Sequence, residues 1–132
     1  MARPPSRSRT ERSLTVGNNI SFQPMGKTYK ANTTTNTQTI TVYADSPCNQ
    51  LCVANHQPTG NTGFPTYFLV SSNSSVTVSV PVAGTPSYCL VSPPGTVRTF
   101  TIPQQFSNVA PMYIAFIGEA TAECYFTPGE GL

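Results

Sequence analysis

Charged residues are scarce in this sequence. Asp, Glu, Lys and Arg make up 9% of its 132 residues, against about a quarter in an average domain. Scarce charge does not here mean disorder, which goes with high net charge and few apolar groups. The net charge is only +2 and 38% of residues are hydrophobic. Tryptophan is missing, which weakens a carbohydrate-binding reading, since such modules lean on indole rings. His56 is the sole histidine. A nucleophilic site needs a base held by an orienting group. His56 instead precedes a Pro/Gly-rich stretch with no acidic residue nearby in sequence, so it reads as a surface side chain. There is no P-loop, no dinucleotide glycine fingerprint and no metal-binding Asp cluster. No apolar stretch follows the N-terminal arginines, so no signal peptide is predicted. No run approaches the length of a membrane span. These absences predict no enzyme, no cofactor and no membrane partner.

The four cysteines invite a zinc reading. Cys48-x-x-x-Cys52 has ligand-like spacing, but Cys89 and Cys124 stand far from it and from each other, whereas zinc sites favour paired knuckles. Cys89 and Cys124 fall in separate predicted strands, where a thiol packs like a small apolar group. Without export all four are expected as free thiols, and no metal is expected. Glu119 and Glu123 share a strand face but lie over about 10 Å apart along it, so they read as solvated carboxylates. Asn19, Asn32 and Asn73 match the glycosylation pattern, which is expected by chance in a chain so rich in Ser and Thr.

What the sequence has in quantity is alternation and turn residues. In Ser75-Val76-Thr77-Val78-Ser79-Val80-Pro81-Val82 the valines take every second place. That is the period of a strand with one apolar face, and it predicts a half-buried antiparallel strand, central in its sheet. Thr37–Ala44, Cys48–Asn55, Thr66–Val70, Tyr88–Val91, Thr96–Ile102 and Ala120–Phe126 read as further strands. Met112–Ile117 reads as a strand buried on both faces. Pro103 is expected to stop one strand, and Thr127–Leu132 to form a tail outside any strand. With 13 Pro and 9 Gly marking turns, seven or eight short strands and no amphipathic helix predict an all-β fold. It is an antiparallel β-sandwich or jelly roll with an extended N-terminal arm. The expected organisation is an arm at 1–25, a sandwich at 26–127 and a tail at 128–132.

Charge is unevenly placed. Residues 1–30 carry Arg3, Arg7, Arg9, Arg12, Lys27 and Lys30 against Glu11, a net +5; residues 31–132 carry Arg98 against Asp45, Glu119, Glu123 and Glu130, a net −3. Arg3, Arg7, Arg9 and Arg12 are therefore the candidate partner-contact residues. They suit an acidic protein surface or phosphates. Tyr43, Tyr67, Tyr88 and Tyr125 are the aromatics that could stack on sugars or bases.

The basic Met1–Met25 arm, the strand succession over Thr37–Phe126 and the ending Ala-Glu-Cys-Tyr-Phe-Thr-Pro-Gly-Glu-Gly-Leu resemble the decoration, or cement, proteins of tailed-phage heads. The resemblance spans the chain in general form and rests on no diagnostic motif. It implies a non-enzymatic virion structural protein on the capsid surface, made in the host cytoplasm. Its partners would be the major capsid protein and copies of itself, as a trimer over junctions between shell subunits, with nucleic acid possible through the arm. The alternatives are a jelly-roll viral coat protein whose arm contacts nucleic acid, and a carbohydrate- or receptor-binding β-sandwich.

Overall fold

Strands form where apolar residues alternate with hydroxyl and amide residues. The computed structural model describes residues 22–58 and 63–131. Through them run β1 (Phe22–Pro24), β2 (Tyr29–Asn32), β3 (Gln38–Val42), β4 (Cys48–Asn55), β5 (Thr66–Ser71), β6 (Leu90–Ser92), β7 (Val97–Phe106), β8 (Met112–Gly118) and β9 (Glu123–Gly131). Among the described residues there is no helix. The fold is the all-β antiparallel sandwich that the turn spacing predicts.

Register decides the topology that periodicity left open. β1 and β2 lie one after the other along the same side of β9, as a single interrupted strand. The antiparallel pairs then nest: β1/β2 with β9, β3 with β8, β4 with β7, β5 with β6. Rolling this ribbon brings β4 against β9 and β5 against β8. The result is two sheets, ordered β1/β2-β9-β4-β7 and β3-β8-β5-β6, which is a jelly roll. The β4–β5, β6–β7 and β8–β9 connections gather at one end with His56. The β3–β4 and β7–β8 connections lie at the other end, where β1 enters and β9 finishes.

The core fills the space between the inner faces. Leu51, Val53, Cys124 and Phe126 of one sheet meet Val42, Phe68, Met112, Ile114 and Phe116 of the other. Phe68 joins the sheets, lying edge-on to Phe100 at 5.4 Å and to Phe126 at 5.5 Å between ring centroids. Such edge-to-face pairs add stability beyond the area they bury.

The valine-rich stretch is where the structure departs furthest from expectation. Residues 76–80 belong to no strand. β8 has β3 and β5 on its two sides, β6 takes the first half of the other side of β5, and the valine stretch pairs with none of them. The valines still bury alternately, because the ribbon lies on the outer face of the β3-β8-β5-β6 sheet. Val78 packs with Ala115 and Ile117, and Val76 and Val80 flank them. Hydroxyl side chains replace ladder partners. Thr39 Oγ1 donates to Val76 O (3.3 Å), Val78 N donates to Thr37 Oγ1 (3.3 Å), and Ser87 Oγ donates to Ser79 O (2.7 Å). This covering explains why β8 is buried on both faces, as its sequence predicts. The ribbon turns back at Ala83-Gly84, with Val82 and Thr85 exchanging backbone bonds. Gly84 takes φ 83° there, a conformation that favours glycine.

Two prolines expected to end strands do not. β9 runs through Pro128 to Gly131. A strand residue points its N–H and C=O to the same side, and Pro128 O accepts from Met25 N at 2.9 Å. The missing N–H therefore faces the break between β1 and β2, where no ladder bond is lost. β7 likewise continues past Pro103, because the register against β4 shifts between Cys48 and Gln50 and takes that segment out of the ladder. Strands thus overrun both expected boundaries, since β1 starts inside the expected arm and β9 fills the expected tail.

Candidate functional site

Arg3, Arg7, Arg9 and Arg12 lie outside the described residues. The chain that carries them joins the sandwich at Phe22, beside the end of β9. Asp45, just after β3, and Glu130, near the end of β9, are carboxylates of that same end.

His56 does gain an acidic neighbour, through pairing that the sequence does not advertise. Asn55 pairs with Cys124 across β4 and β9, and His56 N donates to Glu123 O at 2.9 Å. His56, Phe64, Thr121 and Glu123 share a groove of about 440 Å³. Glu123 is directed elsewhere, with its Oε1 3.8 Å from Lys30 Nζ. The Lys30 ammonium also sits 5.9 Å from the Tyr125 ring centre. Among the described residues no serine or cysteine lines this groove and nothing orients the imidazole, so these residues alone do not form a base–nucleophile relay.

The cysteines are dispersed. Positions four apart on a regular strand share a face, but the shift between Cys48 and Gln50 breaks the alternation. Cys48 enters the core beside Leu51 and Val53, while Cys52 stays half-buried, alternating with those core residues. Cys89 packs under the valine ribbon. Among the described residues no three or more metal-ligating side chains cluster. Cys124 is buried next to the Thr66 and Ser92 hydroxyls, and its pKa is pushed up to about 11, chiefly by burial. The fold therefore favours the neutral thiol. The unfolded chain loses this proton near pH 9 and the folded chain near 11, so stability should fall over that window. The contribution is about 2–3 kcal/mol by pH 11. Denaturant titrations at pH 8 and pH 11 should show a smaller loss in Cys124→Ala than in the parent; equal losses would contradict this.

The tyrosines share no platform. Tyr88 is 91% exposed on the return of the valine ribbon and Tyr43 is half-exposed after β3. Tyr67 packs beneath the ribbon, and Tyr125 lies on the other sheet. Exposed apolar side chains are scattered: Val82 at the turn of the valine ribbon, Leu90 and Val91 on β6, Val97 on β7, Val109 between β7 and β8, and Phe64 in the groove beside His56. Among the described residues β6 and β7 are also the free edges on one side of the sandwich, and unpaired edges are templates for association.

No protein-family model matches the chain, and neither a curated protein nor a solved structure matches it.

Proposed function

We propose that the chain is a non-enzymatic structural protein of a virus particle, a decoration or cement protein that stabilises the shell through subunit contacts. The observation that carries this reading is where the exposed apolar groups lie. Apart from Phe64, which shares the groove of His56 and Glu123, they are spread over strand edges, connections and the turn of the valine ribbon. A jelly roll with free edges and a basic leading segment is suited to repeated contacts with like subunits. Standard-size interfaces suffice for specific attachment, and repetition on a symmetric shell multiplies weak contacts. Arg3, Arg7, Arg9 and Arg12 supply the electrostatic part of the grip on an acidic shell surface.

The nested four-pair ribbon favours a second reading, because coat proteins of viral shells also use jelly rolls. In that reading the arginines face nucleic acid. Removing residues 1–13 distinguishes the two. The fold should be unaffected, with the same far-UV circular dichroism and thermal midpoint, since no described strand includes those residues. In the decoration reading the shortened chain sediments less with preformed shells, and the parent loses shell binding as salt rises. Full occupancy by the shortened chain in raised salt would overturn that role for the arm. Nuclease-protected nucleic acid co-purifying with the parent alone would favour the coat reading.

A further inference from the structure

β5 is covered unevenly along its two sides. β8 pairs with all of it, from Thr66 to Ser71, but β6 pairs only with Thr66, Tyr67 and Phe68. Before Leu90 the chain leaves the plane of the sheet, with Ser87 and Tyr88 near Leu69 and Val78 on the outer face. Val70 and Ser71 therefore have no strand beside them on the β6 side among the described residues. There the structure holds a groove of about 350 Å³ between the ends of β5 and β7 and the start of β8. Val70, Ile102, Phe106 and Met112 give it an apolar lining, and Ser72 and Gln105 are among its uncharged polar residues. It combines an open strand edge with an apolar floor, which is what an added strand needs: main-chain bonds on one side and a seat for alternate side chains.

We propose that this groove receives Leu14 and Val16 of a second copy of the chain, laid as an extra strand along the open side of β5. Leu14-Thr15-Val16 has the required alternation, with two apolar side chains to one face and a hydroxyl to the other. It precedes Phe22, which enters the sandwich at the end where the groove opens. A chain cannot readily fill its own groove. β9 and β4 stand between β1 and β7, a span of roughly 14 Å at ordinary strand spacing. Val16 lies six positions before Phe22, so most of a reach of roughly 20 Å goes on that span alone. An adjacent copy meets no such limit. The inference rests on the assembly reading above and names the receptor for the arm. Because the groove is uncharged, this contact is insensitive to salt, unlike the arginine contacts.

The test uses the full chain. A photo-crosslinking amino acid replaces Val16, in a mixture of isotope-labelled and unlabelled chains. The expected result is crosslinks between differently labelled chains, mapping to Val70–Ser72 or Gln104–Phe106. Separately, the pair Leu14→Asp and Val16→Asp should weaken self-association roughly a hundredfold, measured by sedimentation in high salt. Circular dichroism and the thermal midpoint check that the double variant folds as the parent does. Crosslinks confined to one chain, crosslinks mapping elsewhere, or unchanged association of the double variant would each overturn the proposal. If the parent still binds shells in those cases, the assembly reading stands without it. A parent that is monomeric and binds no shell would overturn both.

Discussion

Replacing Phe68 with alanine should lower the stability of the sandwich by about 3–5 kcal/mol. Phe68 is fully buried and belongs to β5, yet its ring partners Phe100 and Phe126 belong to β7 and β9 of the facing sheet. Truncation removes the transfer free energy of a benzyl group and both edge-on contacts, each worth about 0.5–1.5 kcal/mol beyond burial. It also leaves a void at the junction of two sheets, each held in register by its own ladders, so the walls cannot close on it. A domain of this size is stable by about 5–15 kcal/mol in total, so the change removes a large share. Urea titration followed by circular dichroism should show the midpoint falling with little change in slope. Tyr88→Ala, at a position 91% exposed, should stay within about 0.5 kcal/mol of the parent. A loss below about 1.5 kcal/mol for Phe68→Ala would mean that the sheets slide together to fill the gap, and that the core is less specific than its geometry implies.

The strand content was legible because burial on one face imposes a two-residue period wherever the chain is extended. That same fact misled at residues 76–80. Alternation reports that a ribbon has a wet side and a dry side. It does not report whether the dry side meets a facing sheet as a member strand or lies on a sheet as a cover. The hydroxyls of Thr37, Thr39 and Ser87 make the second solution workable, and nothing local in the sequence marks them as partners of ribbon residues some 8 to 41 positions away. Pro128 and Pro103 misled for a related reason. A proline forbids one hydrogen bond on one side, and whether that bond is needed depends on a neighbour strand remote in sequence.

The candidate sites were less legible. Cys48 and Cys52 share β4 at a spacing that puts both on one face of a regular strand, and the register shift between Cys48 and Gln50 that separates them has no local mark in the sequence. The approach of Glu123 to His56 could not be read locally, since it follows from β4–β9 pairing. The groove beside Val70 was invisible for the same reason: it arises because β6 is shorter than the strand it pairs with. The valine ribbon treats the two sheets differently. Among the described residues it covers the β3-β8-β5-β6 sheet and not the β1/β2-β9-β4-β7 sheet.

Asn55 should prove nearly as sensitive as Phe68, and for an opposite reason. Alternation along β4 sends Leu51, Val53 and Asn55 the same way, so an amide enters the space between the sheets. Asn55 Nδ2 donates to Ser92 O at 2.7 Å and to Phe64 O at 2.9 Å. Its backbone donates to Thr96 O and accepts from Gly95 N. One residue thus ties β4 in one sheet to β6 in the other and to both adjoining connections. Asn55→Leu keeps the volume but strands two carbonyls, each worth about 1–3 kcal/mol when left unpaired. Removing Oδ1, which is buried with no partner of its own, offsets part of that. The net loss should be about 2–4 kcal/mol. Asn55→Asp should be worse at pH 7, because it aims a carboxylate at two carbonyl oxygens in a site closed to water. Burial raises the pKa of that carboxyl in the fold above its unfolded value near 3.9. The unfolded chain then sheds its proton first as pH rises, so the deficit of the Asp variant should grow between about pH 4 and pH 7 while that of the Leu variant stays level. Denaturant titrations at both pH values read this directly. An Asp variant as stable as the parent at pH 7 would show that water reaches this position and that the sheets are joined by packing alone.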